Sequence, residues 1–492
     1  MKRRNWLARL RYLGALLWVF GLILPAPLFL VPFLPEIGIS FSTFAPFLIP
    51  AGVSLVLGTL LNRSIKLRPL SGSGAIVVVT LGWFMVSAIG AVPFVIGLGL
   101  GFVDAFFEAA SGFTTTGITI LINLEELPKT LIFWRSLTQW IGGLGILTLF
   151  SVLVFKGEAS HKLYGAESHK VISERPAPGL FSTLKILWAI YSLFTAAVFF
   201  LLWLQGTGWF DSINHALTTL SAGGFSPHDA SIDYYRQAGF KNYRLIEYTI
   251  IGGMTLAGMS FVIHYRVLKG KISSLWDSME VRLYWKIIGG ATGLVLANHM
   301  RVHGLAGGLD AFRHSLFQVV SLLTTTGFGT KDIAGGFFPG MAKQVFLFLM
   351  VVGGMVGSTG GGLKVFRVGV LWKTVKRQLR KTVHSPRTSN PLVIDGKKIP
   401  GEEVRRIASL FFAWIALILA GGMITAFFSS LSPLQSVSGM FSALGNIGPS
   451  FIPLEEWPEL HPVIKVTYSI GMLAGRLEIL PVLLLFSRKA WR

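Results

Sequence analysis

The sequence predicts an all-α polytopic membrane protein in which one helical unit recurs four times behind an N-terminal helical pair. Three observations carry this. Apolar residues make up 52% of the chain and charged residues only 14%, with a mean hydropathy of +0.62, too apolar for a water-soluble domain. Apolar stretches recur at 12–34, 45–61, 74–99, 131–155, 182–204, 246–265, 284–300, 341–372, 407–428 and 462–487. Each can cross roughly 30 Å of hydrocarbon as a helix, which gives about ten spanning helices. A short Gly-containing turn returns at Gly117, Gly224, Gly327 and Gly448, roughly 100–120 residues apart, and a fixed period of that size marks repeated structural units. Four units around one axis give fourfold pseudosymmetry within one chain.

Residues 1–70 form the N-terminal pair, with little polar content and a packing role. The basic start resembles a signal-peptide n-region, but no small-residue cleavage pattern follows, so it reads as a retained first helix. The repeats then occupy 71–180, 181–282, 283–404 and 405–492. Each reads as a spanning helix, a short amphipathic helix, a turn and a second spanning helix. The short segments 102–113, 209–220, 309–323 and 433–444 cannot span. Asp104, Asp211 and Asp310, or Ser432-Pro433 in the fourth, lie near their starts and suit a helix N-terminus by capping and by the macrodipole. Each is therefore a re-entrant helix entering from outside, its negative C-terminal end aimed at the membrane centre, where it favours a cation.

The turns follow directly: SGFTTTGIT at 111–119, LSAGGFS at 220–226, SLLTTTGFGT at 321–330 and SALGNIGPS at 442–450. A dehydrated monovalent cation needs several oxygens at once, and backbone carbonyls supply them without placing a full charge in lipid. Glycine lets those carbonyls face one axis by leaving ordinary φ/ψ space. The hydroxyls of Thr115, Thr116, Thr325 and Thr326 can stabilise the loop or add ligands. A single such turn would be an ordinary helix C-cap; four at a regular period read as one ion filter.

A second glycine-rich stretch interrupts the apolar segment 346–372. Gly353, Gly354, Gly357, Gly360, Gly361 and Gly362, with Ser358, Thr359 and Lys364 among them, should break a helix in mid-membrane. Irregular backbone at that depth is tolerated only where it packs in protein or lines a watery path. Its spacing lacks the Gly-Lys-Ser/Thr ending of a phosphate loop. Arg476 and Glu478 lie well inside the last span, where an uncompensated charge is costly. Arg476 is expected at the pore, as an electrostatic barrier and a donor to the freed loop carbonyls. Snorkelling toward Arg488 is the alternative. Glu478 is expected to pair with a neighbouring span. Arg135, Arg244, Lys343 and Lys465 read as interfacial anchors, or otherwise as holders of the outer mouth.

The net charge of +21 does not indicate nucleic acid, because the basic residues gather in alternate loops. The positive-inside rule makes those loops, and both termini, cytoplasmic. Cysteine is absent, which excludes disulfides and thiolate metal sites. No HExxH spacing, Ser-His-Asp set or carboxylate pair stands out, so an enzyme is not expected.

Together the residues 111–117, Trp134-Arg135 with Gln139-Trp140 and the glycines through Gly145, Gly223–Ser226 with His228–Ser231, 317–328, 353–364 and 475–478 closely resemble the Trk/Ktr/HKT superfamily of cation transporters. The likeness covers essentially the whole chain and is greatest to its TrkH-type potassium-uptake members, because Ktr-type members lack the extra helical pair. The resemblance implies four membrane–pore–membrane repeats, a homodimer with a pore in each protomer, and a bacterial inner-membrane location. It implies potassium selectivity where Gly117, Gly224, Gly327 and Gly448 are all glycine. It draws the filter oxygens from these glycines with Thr115, Thr116, Ala222, Gly223, Thr325, Thr326, Asn446 and Ile447. It makes 353–362 the intramembrane gate and Arg476 the pore arginine. Potassium is then the transported ion. Nucleotide acts only through a separate cytoplasmic TrkA-type nucleotide-binding regulatory subunit, since no Rossmann unit is present; the basic loops are its docking face by sign. Two departures, Ala222 for a larger apolar residue and Gly445-Asn446 for paired Asn, bear on fine selectivity. A potassium symporter coupled to protons or sodium, or a mixed potassium/sodium transporter, is the alternative. Symport would need a titratable group in the pathway; Arg476 cannot titrate usefully, and no midplane Asp or His is seen.

Overall fold

The computed structural model describes residues 2–34, 38, 40–65, 70–145, 148, 179–305, 307–383, 391–485 and 487. Helices α1 (Lys2–Ile23) and α2 (Phe41–Ser64) form the N-terminal pair. They cross closely because small residues meet there: a Cβ added at Gly58 would sit 2.7 Å from Trp18 N and 2.8 Å from Gly14 O. The first unit holds α3 (Gly72–Leu98), α4 (Phe102–Phe113) and α5 (Lys129–Gly143). The second holds α6 (Leu180–Leu204), α7 (Trp209–Leu220), α8 (Tyr243–Gly258) and α9 (Phe261–Leu268). The third holds α10 (Met279–His303), α11 (Gly308–Leu323), α12 (Gly340–Val352) and α13 (Val365–Val383). A small hairpin follows, with β1 (Val393–Ile394) antiparallel to β2 (Lys397–Lys398). The fourth holds α14 (Gly401–Phe428), α15 (Pro433–Gly445), α16 (Pro462–Arg476) and α17 (Leu480–Leu485). The boundaries read at 282 and 404 fall inside α10 and α14, which begin at Met279 and Gly401.

Local signals set several ends. Ser71 caps α3 by accepting from Gly74 N at 3.1 Å, and Gly99, at φ 69°, closes it with its N–H on Val95 O. Ser432 and Gln435 form a reciprocal capping box on α15. Asp104, Asp211 and Asp310 do not cap their helices as expected. They reach instead to other side chains: Asp104 to Lys465, Asp211 to His228 and Tyr235, and Asp310 to Arg313.

The expected row of spans also needs correction. Five described helices are long and apolar enough to cross a membrane by themselves: Trp6–Phe33, Phe41–Ser64, Gly72–Leu98, Leu180–Leu204 and Gly401–Phe428. The expected continuous span 246–265 is bent by 105° between α8 and α9. The span 462–487 stops at Arg476 and resumes at Leu480, and 341–372 is open over 353–364. Segment 284–300 lies in α10, whose start carries Glu280, Arg282 and Lys286. Segment 131–155 is helical to Gly143, and most of its remainder lies outside the described residues, as do the basic residues Lys156, Lys162, Lys170 and Arg175. The helix after each turn, where it can be followed, is therefore short or broken. The break in the second unit follows from contacts: Gly258 is packed so that a Cβ would lie 2.6 Å from Thr324 Cγ2, and Phe261 N–H bonds Gly357 O at 3.0 Å.

The buried apolar residues form two large bodies. One joins the N-terminal pair with the first and fourth units, through residues such as Phe47, Trp83, Phe113, Trp134 and Tyr468. The other joins the second and third, through Tyr191, Ile250, Tyr284, Phe317 and Phe346. The four turns lie where these bodies meet.

Candidate functional site

Each short helix ends in the same way. Thr116 N bonds Ser111 O at 2.9 Å, Gly223 N bonds Thr218 O at 2.9 Å, Thr326 N bonds Ser321 O at 2.9 Å and Ile447 N bonds Ser442 O at 3.1 Å. These five-residue reaches close the helix as a Schellman-type cap, which requires one left-handed residue. That residue is Thr115, Ala222, Thr325 or Asn446, with φ between 54° and 58°. No glycine stands there, so the first three turns carry the strain of an L-residue in left-handed space, about 1–2 kcal/mol, while Asn446 is a residue type that adopts it readily. Two residues on, Gly117, Gly224, Gly327 and Gly448 are left-handed again, at φ 83°, 74°, 91° and 103°. Left-handed residues on either side of one that is not turn successive carbonyls to the same side of the strand.

The four turns interlock in a ring. A Cβ added at Gly117 would collide with Gly223 O, one at Gly224 with Thr326 O, and one at Gly327 with Ile447 O. A Cβ at Gly448 would lie 3.0 Å from Thr116 O, which closes the circle. Each of these four glycines is thus needed twice, for its φ and for the carbonyl of the next turn against its α-carbon. The hydroxyls of Thr116 and Thr326 bond those of Thr114 and Thr324, at 2.7 and 2.8 Å. Thr115 Oγ1 is buried and has no hydrogen-bond partner among the described residues. Thr325 Oγ1 accepts from Gly361 N at 2.6 Å.

That last bond belongs to the loop between α12 and α13, which lies directly beneath the ring. Cβ atoms at Gly360 and Gly361 would sit 2.6 Å from Thr324 O and 2.5 Å from Gly445 O. The loop satisfies carbonyls freed where α8 ends: Met355 N bonds Gly258 O at 2.9 Å and Thr359 N bonds Ala257 O at 3.3 Å. Thr359 Oγ1 donates to Leu220 O and Ala257 O. Glu280 accepts from Val356 N at 2.7 Å. Lys364 Nζ donates to Gly360 O at 2.6 Å. Gly353, Gly357 and Gly362 are left-handed, as is Lys364.

Arg476 reaches this loop from the end of α16. It donates to Thr359 O at 2.8 Å, and across to Gly142 O and Gly143 O at 2.6 and 2.5 Å. One guanidinium thus joins the breaks of three units. A cavity of about 190 Å³ lies here, lined by Gly357, Ser358 and Gly360–Gly362 of the loop, by Lys364 and Arg476, and by Trp83, Trp188 and Leu184. The part-buried side chains of Lys364 and Arg476 stand beside this cavity together with the loop backbone. Glu478 pairs with Arg367 at 2.5 Å, a neighbouring-helix partner of the kind expected.

Outside the ring the reading as interfacial anchors needs correction for Arg135 and Lys465. Arg135 is 1% exposed and pairs with Glu108, itself fully buried, at 2.7 Å. It also donates to Ser226 O at 3.1 Å, and so ties the first unit to the second just beyond its turn. Lys465 is buried against Asp104 at 2.7 Å, which ties the fourth unit to the first. Arg244 alone is mostly exposed, 3.5 Å from Asp310. Lys343 donates to Ala334 O. Between the second and third units Glu247 pairs with Arg313, also buried, at 2.5 Å. Sequence reading missed Glu108, Glu247 and Arg313; a carboxylate or guanidinium inside a short apolar helix was the available signal. Replacing Arg135 by Met is expected to cost about 3–5 kcal/mol, because Glu108 stays buried without its cation. Thermal unfolding followed by size-exclusion chromatography measures this; a midpoint equal to wild type would contradict it.

The family described as "TrkH: Cation transport protein" matches residues 51–290 and 291–491. The "Trk system potassium uptake protein TrkH" of Escherichia coli (strain K12) is 33% identical, with 89% of this chain and 91% of that protein covered. The TrkH of Vibrio parahaemolyticus is 32% identical over 98% of this chain and 99% of its own length. The crystal structure titled as that organism's potassium transporter TrkH superposes with a TM-score of 0.87 at 28% identity, over the whole of both chains.

Proposed function

Because this chain belongs to the TrkH family of cation transport proteins, a multi-pass membrane family of transporters and not of enzymes, we propose that it conducts potassium passively across the membrane. Similar proteins carry the name of a potassium uptake system. The ring of interlocked turns is the observation that carries the reading: a cation on its axis is met by carbonyls from four strands. The filter residues are Thr115, Thr116 and Gly117; Ala222, Gly223 and Gly224; Thr325, Thr326 and Gly327; and Asn446, Ile447 and Gly448. The loop 353–364 is the gate, held shut by its bonds to the second unit and to Thr325. Arg476 is its latch and a barrier of like charge to the ion.

The remaining assignments rest on the family and on charge. The protein acts as a homodimer in the bacterial inner membrane with both termini cytoplasmic. A separate nucleotide-binding subunit of TrkA type docks on the basic cytoplasmic face and opens the gate. Helix α13 carries Lys373, Lys376, Arg377 and Arg380 there.

Flux into liposomes holding the purified chain tests the central claim, with potassium, rubidium, caesium, sodium and lithium in turn. Potassium and rubidium flux is expected well above sodium flux and changed by Arg476→Gln. Sodium flux equal to potassium flux would overturn the selectivity. A reversal potential that follows the pH gradient would favour coupled symport.

A further inference from the structure

We propose that Gln139 is a positioning residue of the second turn, supplying from the neighbouring unit the side chain that Gly223 lacks and thereby setting cation selectivity. This rests on reading the four turns as the filter.

The position before the filter glycine is Thr116, Gly223, Thr326 and Ile447 in the four turns. In the first and third, the threonine hydroxyl bonds a second threonine of its own turn. In the fourth, Ile447 is fully buried in the apolar body of the second and third units. The second turn alone has no side chain there. It also lacks a second brace, as does the first turn, where Ser111 Oγ has no hydrogen-bond partner among the described residues. Ser321 and Ser442 donate to Phe328 O at 2.6 Å and Gly448 O at 2.8 Å, so each splints its turn from its own short helix. Thr218 occupies that position in the second unit, but its hydroxyl donates to Asn214 O at 2.9 Å, back along the helix.

Gln139 fills both gaps. It comes from α5 of the first unit and is fully buried. Its Nε2 donates to Gly223 O at 2.6 Å, and its Oε1 accepts from Phe225 N at 3.0 Å. The carboxamide therefore brackets Gly224 from outside the pore. Its orientation is fixed by chemistry, since a flip would set the amide nitrogen against an N–H and the oxygen against a carbonyl. A Cβ added at Gly223 would collide with the Gln139 carboxamide, so the two residues share one side-chain volume. Gly223 O is also the carbonyl against the α-carbon of Gly117. Holding it thus fixes the join between the first and second turns. A carbonyl has two acceptor lone pairs; Gln139 takes one and leaves the other for the ion. Without the donor, the carbonyl is free to rotate and the ring loses its fixed radius.

Gln139→Leu removes both bonds. Gln139→Glu keeps the shape and the acceptor for Phe225 N, but it offers Gly223 O a donor only when protonated. The measurement is the potassium-over-sodium permeability ratio in liposomes between pH 5 and 8, on protein that elutes as wild type from size exclusion. The leucine variant is expected to lower the ratio about three- to tenfold, the worth of one ordinary hydrogen bond. The glutamate variant is expected to lower it at high pH and recover it as the pH falls, against a flat wild-type profile. A glutamate variant with the wild-type ratio at every pH, or one lowered equally at every pH, would overturn the proposal. It serves alone if the leucine variant fails to fold. If Gly117→Ser moves the ratio and the Gln139 variants do not, the filter reading stands and this role falls. If neither moves it, the filter reading falls too.

Discussion

Gly117→Ser is expected to lower the potassium-over-sodium permeability ratio by about tenfold or more. The residue sits at φ 83°, where an L-residue costs about 1–2 kcal/mol. Its Cβ would also overlap Gly223 O, a backbone atom that cannot move aside as a flexible side chain can. The ring must open between the first and second turns, and a wider ring no longer fits a dehydrated potassium ion better than a hydrated sodium ion. Gly224→Ser and Gly327→Ser should do the same at their own joins. Gly448→Ser should be milder, since its nearest neighbour, Thr116 O, is 3.0 Å away. Gly99→Ser is the control. It has a similar φ of 69° but nothing within 4 Å of the added carbon, so it carries the strain and spares the ring. Reversal potentials under bi-ionic conditions give the ratio directly. Unchanged ratios in the Gly117, Gly224 and Gly327 variants would remove the filter assignment.

Deleting residues 357–362 is expected to raise basal potassium flux, without a cytoplasmic partner, by about tenfold or more. On the proposed reading this loop closes the way below the ring, and the deletion removes the bonds of Thr359 and Gly361 that hold it there. A single-atom version isolates the contact with the filter. Thr325→Val loses the oxygen that accepts Gly361 N–H and keeps the shape. It should shift the gate toward open by about three- to tenfold, from one hydrogen bond. Basal flux is read from potassium-driven dye quenching in liposomes. If the deletion conducts no better than wild type, the loop does not close the pore.

Much of the site was legible in one dimension because it depends on backbone. Glycine and the short helices mark it without any knowledge of neighbours, which is why the turns at Gly117, Gly224, Gly327 and Gly448 and the break at 353–364 could be read in order. Arg476 was legible for a related reason: a guanidinium deep in an apolar segment must have polar surroundings. The roles of Arg135 and Lys465 were not. A cation at the start of an apolar helix looks the same whether it faces headgroups or a buried carboxylate. Only the approach of Glu108 and Asp104 separates the two. The bend between α8 and α9 was also hidden, since Met259-Ser260 is an ordinary dipeptide. It is stable there because the loop 353–364 of another unit takes up the carbonyls that it frees.

The sequence by itself determined the membrane setting, the fourfold repeat and the places where the backbone leaves regular helix. Hydropathy, glycine and spacing act locally, so they survive in a string of letters. The tertiary structure decided which carbonyl meets which glycine, which charge is neutralised by which, and that Gln139 of one unit completes the turn of the next. Those pairings join residues from different units of the chain, and burial away from water is what gives each of them its strength.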